Sequence, residues 1–155
     1  MIAPVTVCRS IRRRGDWRAA QARVALTYEE RFLRRRRMTL ADGSAFLLDL
    51  PETTSLNPGD AFELSDGRLI GIDAADEPLL AVKGDLPRLA WHIGNRHAPC
   101  QIEAVRLVIR RDHVLRDMLL RLGAEVHEVA GPFAPEGGAY GHGRTLPHAH
   151  AHDHA

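Results

Sequence analysis

The chain has 155 residues, enough for one ordinary domain or two small ones. Its 21 basic and 20 acidic side chains leave a net charge of +1, so nothing draws the whole molecule toward nucleic acid or a membrane surface. Apolar residues make up 45%, the proportion of a soluble globular chain, and no apolar run approaches the roughly 20 residues that a membrane span needs.

In chain order, Ile2, Val5 and Val7 begin a strand that runs into a basic, turn-like segment by residue 15. Residues 17–25 fit a short helix or an extended connector. Val24-Ala-Leu26-Thr-Tyr28 alternates as a strand does, and Arg34-Arg-Arg-Arg37 follows it. From Met38 onward short β-like pieces alternate with turn chemistry. Asp42-Gly43, Asn57-Pro58-Gly59-Asp60 and Asp66-Gly67 are the turns; residues 45–50, 62–64 and 69–72 are the strands between them. This predicts a small all-β domain over residues 1–75, with a linker over 74–78.

A different rhythm then begins. Residues 79–83 read as a strand. Asp85 can cap a helix whose Leu86, Leu89, Ala90 and Ile93 share one face, with Gly94 at its end. Residues 100–105 and 106–110 read as two strands with a turn near Glu103. Asp112 is an N-cap for the stripe Val114, Leu115, Met118, Leu119 and Leu122, which Gly123 closes. Residues 124–129 form a last strand. The order is β-α-β-β-α-β, the ferredoxin-like arrangement, over residues 76–133. Residues 134–155 are Gly-, Pro-, Ala- and His-rich, and a flexible tail is expected there. The fold class is α+β.

Histidine is the outlying residue type: nine in all, five of them after residue 141. Neutral imidazole suits nickel, copper and zinc, and a useful site needs several imidazoles converging. His97 follows the Gly94-Asn95 turn. It becomes a site if a second copy brings its own His97 across a two-fold axis, where the same patch meets itself. His148, His150, His152 and His154 alternate with small residues or Asp153, so an extended tail carries all four on one side. A tethered arm holds imidazole at high effective concentration near an anchored ion. Only unprotonated imidazole binds, so affinity should fall as pH drops through the ordinary histidine range, about 6.5. No Cys-x-x-Cys pair points to a structural zinc module.

Four stretches occur in order: Trp91-His-Ile-Gly-Asn-Arg-His97, Asp112-His-Val-Leu-Arg-Asp-Met-Leu119, Gly131-Pro-Phe-Ala-Pro-Glu-Gly-Gly-Ala-Tyr140 and the His-rich terminus. Upstream stand Leu26-Thr-Tyr-Glu-Glu-Arg-Phe-Leu33 and Gly67-Arg-Leu69. Together they resemble the UreE family of urease accessory nickel chaperones, from about residue 24 onward. The resemblance implies a homodimer with a peptide-binding-like N-terminal domain and a ferredoxin-like metal domain. It implies Ni(II) held at the dimer interface by His97 and passed toward urease with the urease accessory GTPase. Zn(II) or Cu(II) would compete for such a site. His113 falls where the family often has an auxiliary metal-binding histidine; the residue two before it, a histidine in some members, is Arg111 here.

Plainer readings stand beside these. His97 could be a loop histidine bonded to backbone, although the motif favours a ligand, and His113 could be only a first-turn residue. His92 is expected to pack and His127 is given no role. Cys100 is expected to behave as a small apolar residue. The tail alternates with Ala and Asp, unlike a purification tag. The arginine run reads as the solvated face of a strand or turn. The segment 106–110 lacks the aromatic residues that RNA-binding strands stack on bases, so no nucleic-acid partner is expected. No nucleophile–base pair or phosphate loop appears, so no catalysis is expected. The basic N-terminus is not followed by an apolar segment, and Cys8 and Cys100 make no disulfide framework, so the expected compartment is the cytoplasm. The competing functions are a metal buffer that stores without delivering and a peptide-binding module with incidental histidines.

Overall fold

In the computed structural model, residues 5–139 and 144 are described. The four tail histidines at 148, 150, 152 and 154, and the first residues of the N-terminal strand, lie outside them. Contacts divide the chain into two units between Ala75 and Asp76. The architecture is β-rich with few helices.

The first unit contains β1 (Val7–Arg12), β2 (Ala22–Leu26), β3 (Phe32–Thr39), β4 (Ala45–Ser55), β5 (Ala61–Leu64) and β6 (Leu69–Ala74). They form one sheet in the order β2-β6-β5-β1-β4-β3. Hairpins join β3 to β4 and β5 to β6 at the Asp-Gly turns, with Gly43 and Gly67 both at positive φ, where a Cβ would be strained. The parallel pairs β1–β4 and β2–β6 need longer connections, which local turn signals do not reveal. Leu48, Leu56, Phe62, Ile70 and Ile72 are among its core residues, and Phe46 and Phe62 stack tilted with ring centroids 5.5 Å apart.

Several sequence expectations need correction here. The basic residues Arg9 and Arg12 belong to β1, not to a turn; the turn comes at 13–16, where the Asp16 amide donates to the Arg13 carbonyl. Residues 17–20 form neither helix nor strand, and β2 begins at Ala22. Thr27 and Glu30 bond each other's amides reciprocally, a capping box around a short 3-10 turn (Glu29–Arg31) that the sequence pass overlooked. β4 does not stop at Pro51. Its register with β3 jumps from Leu33↔Thr54 to Arg35↔Asp49, so Pro51 sits in an irregular stretch where no ladder hydrogen bond is required of it.

The second unit contains β7 (Asp76–Lys83), α1 (Leu86–Asn95), β8 (Gln101–Ile102), β9 (Leu107–Arg110), α2 (His113–Arg121) and β10 (Glu125–Pro132). Its sheet runs β10-β7-β9-β8, antiparallel throughout. Both helices pack through one face: Leu89 and Ile93 of α1 and Leu119 of α2 join Leu80, Val82, Leu107 and Ile109 of the sheet.

The expected linker over 74–78 is not a linker. β6 ends at Ala74 and β7 starts at Asp76, and Pro78 lies in β7 opposite Ala130, just before the pairing with β9 begins at Leu79. β8 is only two residues long, because the turn closed by the Glu103 amide on the Arg106 carbonyl takes residues expected to be strand. Gly94 lies inside α1 rather than at its end. The packed chain also runs past residue 133, where the sequence reading ended it. Phe133 is fully buried, the Ala134 amide donates to Gln101 Oε1 at 2.8 Å, and the Glu136 amide donates to the Cys100 carbonyl at 2.9 Å.

Candidate metal site at the end of helix α1

Helix α1 starts on Asp85, which accepts a long hydrogen bond from the Arg88 amide, and carries a proline in its first turn. At its other end three hydrogen bonds close the chain: Arg96 N to Ile93 O at 3.1 Å, His97 N to Gly94 O at 2.9 Å, and Ala98 N to Ile93 O at 3.3 Å. This is the Schellman closure, in which the residue after the cap turns left-handed and is usually glycine. Here that residue is His97, with φ +57°, the one non-glycine residue at positive φ among the described residues. Ala98 packs against the core that holds Ile93, the apolar contact that accompanies this closure. The chain therefore keeps a side chain where glycine would be less strained.

His97 is half-buried. It lines a cleft of about 580 Å³ together with Pro78, Arg96, Pro99, Asp112 and Val114, among others. Val114 is 49% exposed and faces this opening. Asp112 is occupied as the α2 N-cap, its Oδ1 accepting from the Val114 amide at 2.8 Å and the Leu115 amide at 3.0 Å. His113, the first residue of α2, is exposed and does not line the cleft. Arg111 also lines the cleft, and its guanidinium is committed: it donates to the carbonyls of Leu79 and Val129 and lies 3.5 Å from Glu128.

Cys100, three residues beyond His97, packs against the core of the unit. Burial pushes its thiol up to about 11, with the Glu136 carboxylate adding to the effect, so at neutral pH it stands as a thiol and not as the thiolate that metals prefer. His92 stacks edge-on against Trp91, ring centroids 5.0 Å apart, and His127 pairs with Glu125 at 3.1 Å on the exposed strand β10. Among the described residues, no three His, Cys, Asp or Glu side chains converge as a metal site. The structure thus does not bring His97, His113 and Cys100 together into one ligand set.

Sequence reasoning did not foresee the left-handed backbone of His97. The signal was present in Pro99, two residues after a helix end with no glycine to take the turn. It also passed over Gln101, whose amide holds the chain that follows β10.

The chain matches two family models that together span residues 7–155. The UreE urease accessory protein N-terminal domain covers residues 7–75, and the UreE urease accessory protein C-terminal domain covers residues 71–155. The chain belongs to the UreE family. It is 64% identical over 144 residues to the urease accessory protein UreE of Ruegeria pomeroyi, covering 92% of this chain and 97% of that one. The protein of the same name from Cereibacter sphaeroides is 59% identical over 143 residues, covering 92% of this chain and 79% of its own. That of Paracoccus denitrificans is 63% identical over 124 residues, 80% of each. The two UreE domain matches meet where the contacts divide the chain. The left-handed histidine and its cleft lie in the UreE C-terminal domain. No helix among the described residues is long and apolar enough to cross a membrane.

Proposed function

We propose that the protein is a cytoplasmic nickel metallochaperone that carries Ni(II) for assembly of the urease active site. The observation that carries the reading is His97: a half-buried imidazole kept at a strained helix end, on the edge of an open cleft, where no cluster of three metal-ligating side chains forms among the described residues. Strain retained where glycine would relieve it is characteristic of functional positions. A site short of ligands is completed by symmetry. Two copies meeting through their C-terminal, ferredoxin-like domains would set the paired His97 imidazoles on the two-fold axis.

His148, His150, His152 and His154 then supply further imidazoles from the tail, raising the coordination that two histidines alone leave low. His113 is an auxiliary surface ligand at most. Arg111, held by two carbonyls and Glu128, replaces any neighbour that could have strengthened it. Ligands of this kind leave one at a time, which favours handover to the urease accessory GTPase and the maturation complex. Zn(II) and Cu(II) compete, copper being favoured intrinsically, so selectivity rests on metal supply and partner contacts.

The test is delivery. Apo-urease is incubated with the maturation proteins and nickel-loaded protein while a chelator holds free nickel too low for activation. Recovery of urease activity with the native chain, and its loss with His97→Ala, is the expected result. Equal activation by the native chain and His97→Ala would remove His97 from the delivered site, and activation by neither would favour the storage reading.

A further inference from the structure

We propose that the open edge of β3 is a docking strand for an acidic, extended segment of a partner protein, read by Arg35 and Arg37. The proposal stands on the first unit alone and is independent of the nickel reading. β3 ends the six-stranded sheet: among the described residues it pairs with β4 and with no other strand. That pairing is regular from Arg35↔Asp49 to Thr39↔Ala45, a stretch without proline. Sheets ordinarily keep their open edges short, bulged or covered, so a regular edge of this length needs a reason.

The direction of the free backbone groups follows from the hairpin. The Leu40 amide donates to the Ser44 carbonyl at 2.8 Å, which turns Leu40 toward β4. An antiparallel ladder alternates, so Met38 and Arg36 also face β4, while the amides and carbonyls of Arg35, Arg37 and Thr39 point out from the edge. These are the groups that an added strand pairs with. The side chains alternate as well. Met38, opposite Phe46, is buried in the core, so Arg35 and Arg37 stand together on the outer face of the sheet, two residues apart.

Charge decides which strand fits. Arg34, Arg35, Arg36 and Arg37 are all exposed, and among the described residues their side chains make no hydrogen bond or ion pair. Other arginines of the same unit are matched: Arg12 with Glu63, Arg13 with Asp60, Arg23 with Asp73 and Arg68 with Asp66. Asp49 stands opposite Arg35 in the ladder, one carboxylate against four guanidinium groups. A second copy of this edge is repelled by the same four charges, whereas a strand with carboxylates at every second residue sets them beside Arg35 and Arg37 as cross-strand pairs. Each guanidinium fork can then donate two parallel bonds to a carboxylate. A nucleic acid would meet the charge but leave the outward amides unmatched, so an acidic peptide is the better occupant.

The experiment measures fluorescence anisotropy of a labelled Thr-Glu-Val-Glu-Val-Glu-Thr peptide against the full chain at low salt. The native chain should bind it, and R35Q/R37Q should bind about tenfold more weakly. The fully N-methylated form of the peptide keeps the charge and its spacing but has no amide to donate, and it too should bind at least about tenfold more weakly. In hydrogen exchange the Arg35 and Arg37 amides should slow when the unmethylated peptide is added. The methylation and exchange arms use the native chain, so a poorly folded variant cannot imitate the result. Equal binding of the two peptides would overturn the proposal, because it would mean attraction of charge without an added strand. So would tighter binding of a single-stranded oligonucleotide of the same charge, or R35Q/R37Q binding like the native chain. Absence of any peptide binding would overturn it as well and leave the arginines as a guard against self-pairing.

Discussion

Replacing His97 by glycine should stabilise the second unit relative to replacing it by alanine, although both remove the imidazole. At φ +57° an L-residue bears about 1–2 kcal/mol of left-handed strain that glycine escapes. Glycine in turn loses about 0.5–1 kcal/mol through its freer unfolded chain. The difference leaves H97G more stable than H97A by about 1 kcal/mol, where an ordinary helical position would favour alanine by a similar amount. The sign therefore decides. Native-state hydrogen exchange of the slowest amides in α1 and β7 reads the stability of this unit directly, and about 1 kcal/mol slows exchange roughly fivefold. H97A exchanging more slowly than H97G would refute the left-handed closure and with it the argument that His97 is kept against the preference of the fold. Nickel binding should be lost equally in both variants.

Asp60, nearly fully buried, accepts from Arg13 Nη1 at 2.7 Å, the Arg14 amide at 2.9 Å and the Asn57 amide at 2.8 Å. D60A should cost the first unit about 2–4 kcal/mol in urea unfolding, and a loss below about 1 kcal/mol would contradict this network. The Asp73 carboxyl is held below the usual carboxylate range by the hydrogen bond from Arg23. A depressed folded pKa means that its contribution is complete above the ordinary carboxylate value, about 3.9, and is lost as pH falls through the folded value. D73N should flatten the acid limb of thermal stability, and an unchanged limb would show that the pair contributes nothing. Burial pushes the Cys8 thiol up to about 11 and leaves it without exposed surface, so a thiol reagent at neutral pH should label it only on unfolding; labelling at the rate of a free thiol would contradict the packing of β1.

The second unit was the more legible half. Its two helices announce themselves through caps and one-sided apolar spacing: Asp112 bonds the amides of Val114 and Leu115 as an N-cap should, and Gly123 takes the positive φ expected of a helix stop. The first unit was read as hairpins because its turns are local. Its parallel pairs are fixed instead by distant packing, such as Cys8 beside Leu48, which leaves no short-range mark. Pro78 and Pro51 look like breaks in the sequence for one reason, the missing amide, but each sits where the ladder requires no amide of it. His97 draws attention in the sequence through its motif. Its backbone strain does not, because a histidine in a left-handed turn looks in sequence like any loop histidine. The anchoring of residues 133–136 was missed because composition alone said tail, while one phenylalanine and two backbone amides suffice to dock it.

The central claim is that nickel is held first by His97 at a symmetric interface and only then by the tail. Nickel titration calorimetry at neutral pH on the full-length chain, the truncation after Gly143 and His97→Ala tests it most directly. The account predicts that the truncation keeps about one tight ion per two chains, in the stoichiometry a two-fold site requires, and that His97→Ala loses it. A His97→Ala variant that binds like the full-length chain, alongside a truncation that binds nothing, would contradict it and make the protein a store rather than a carrier.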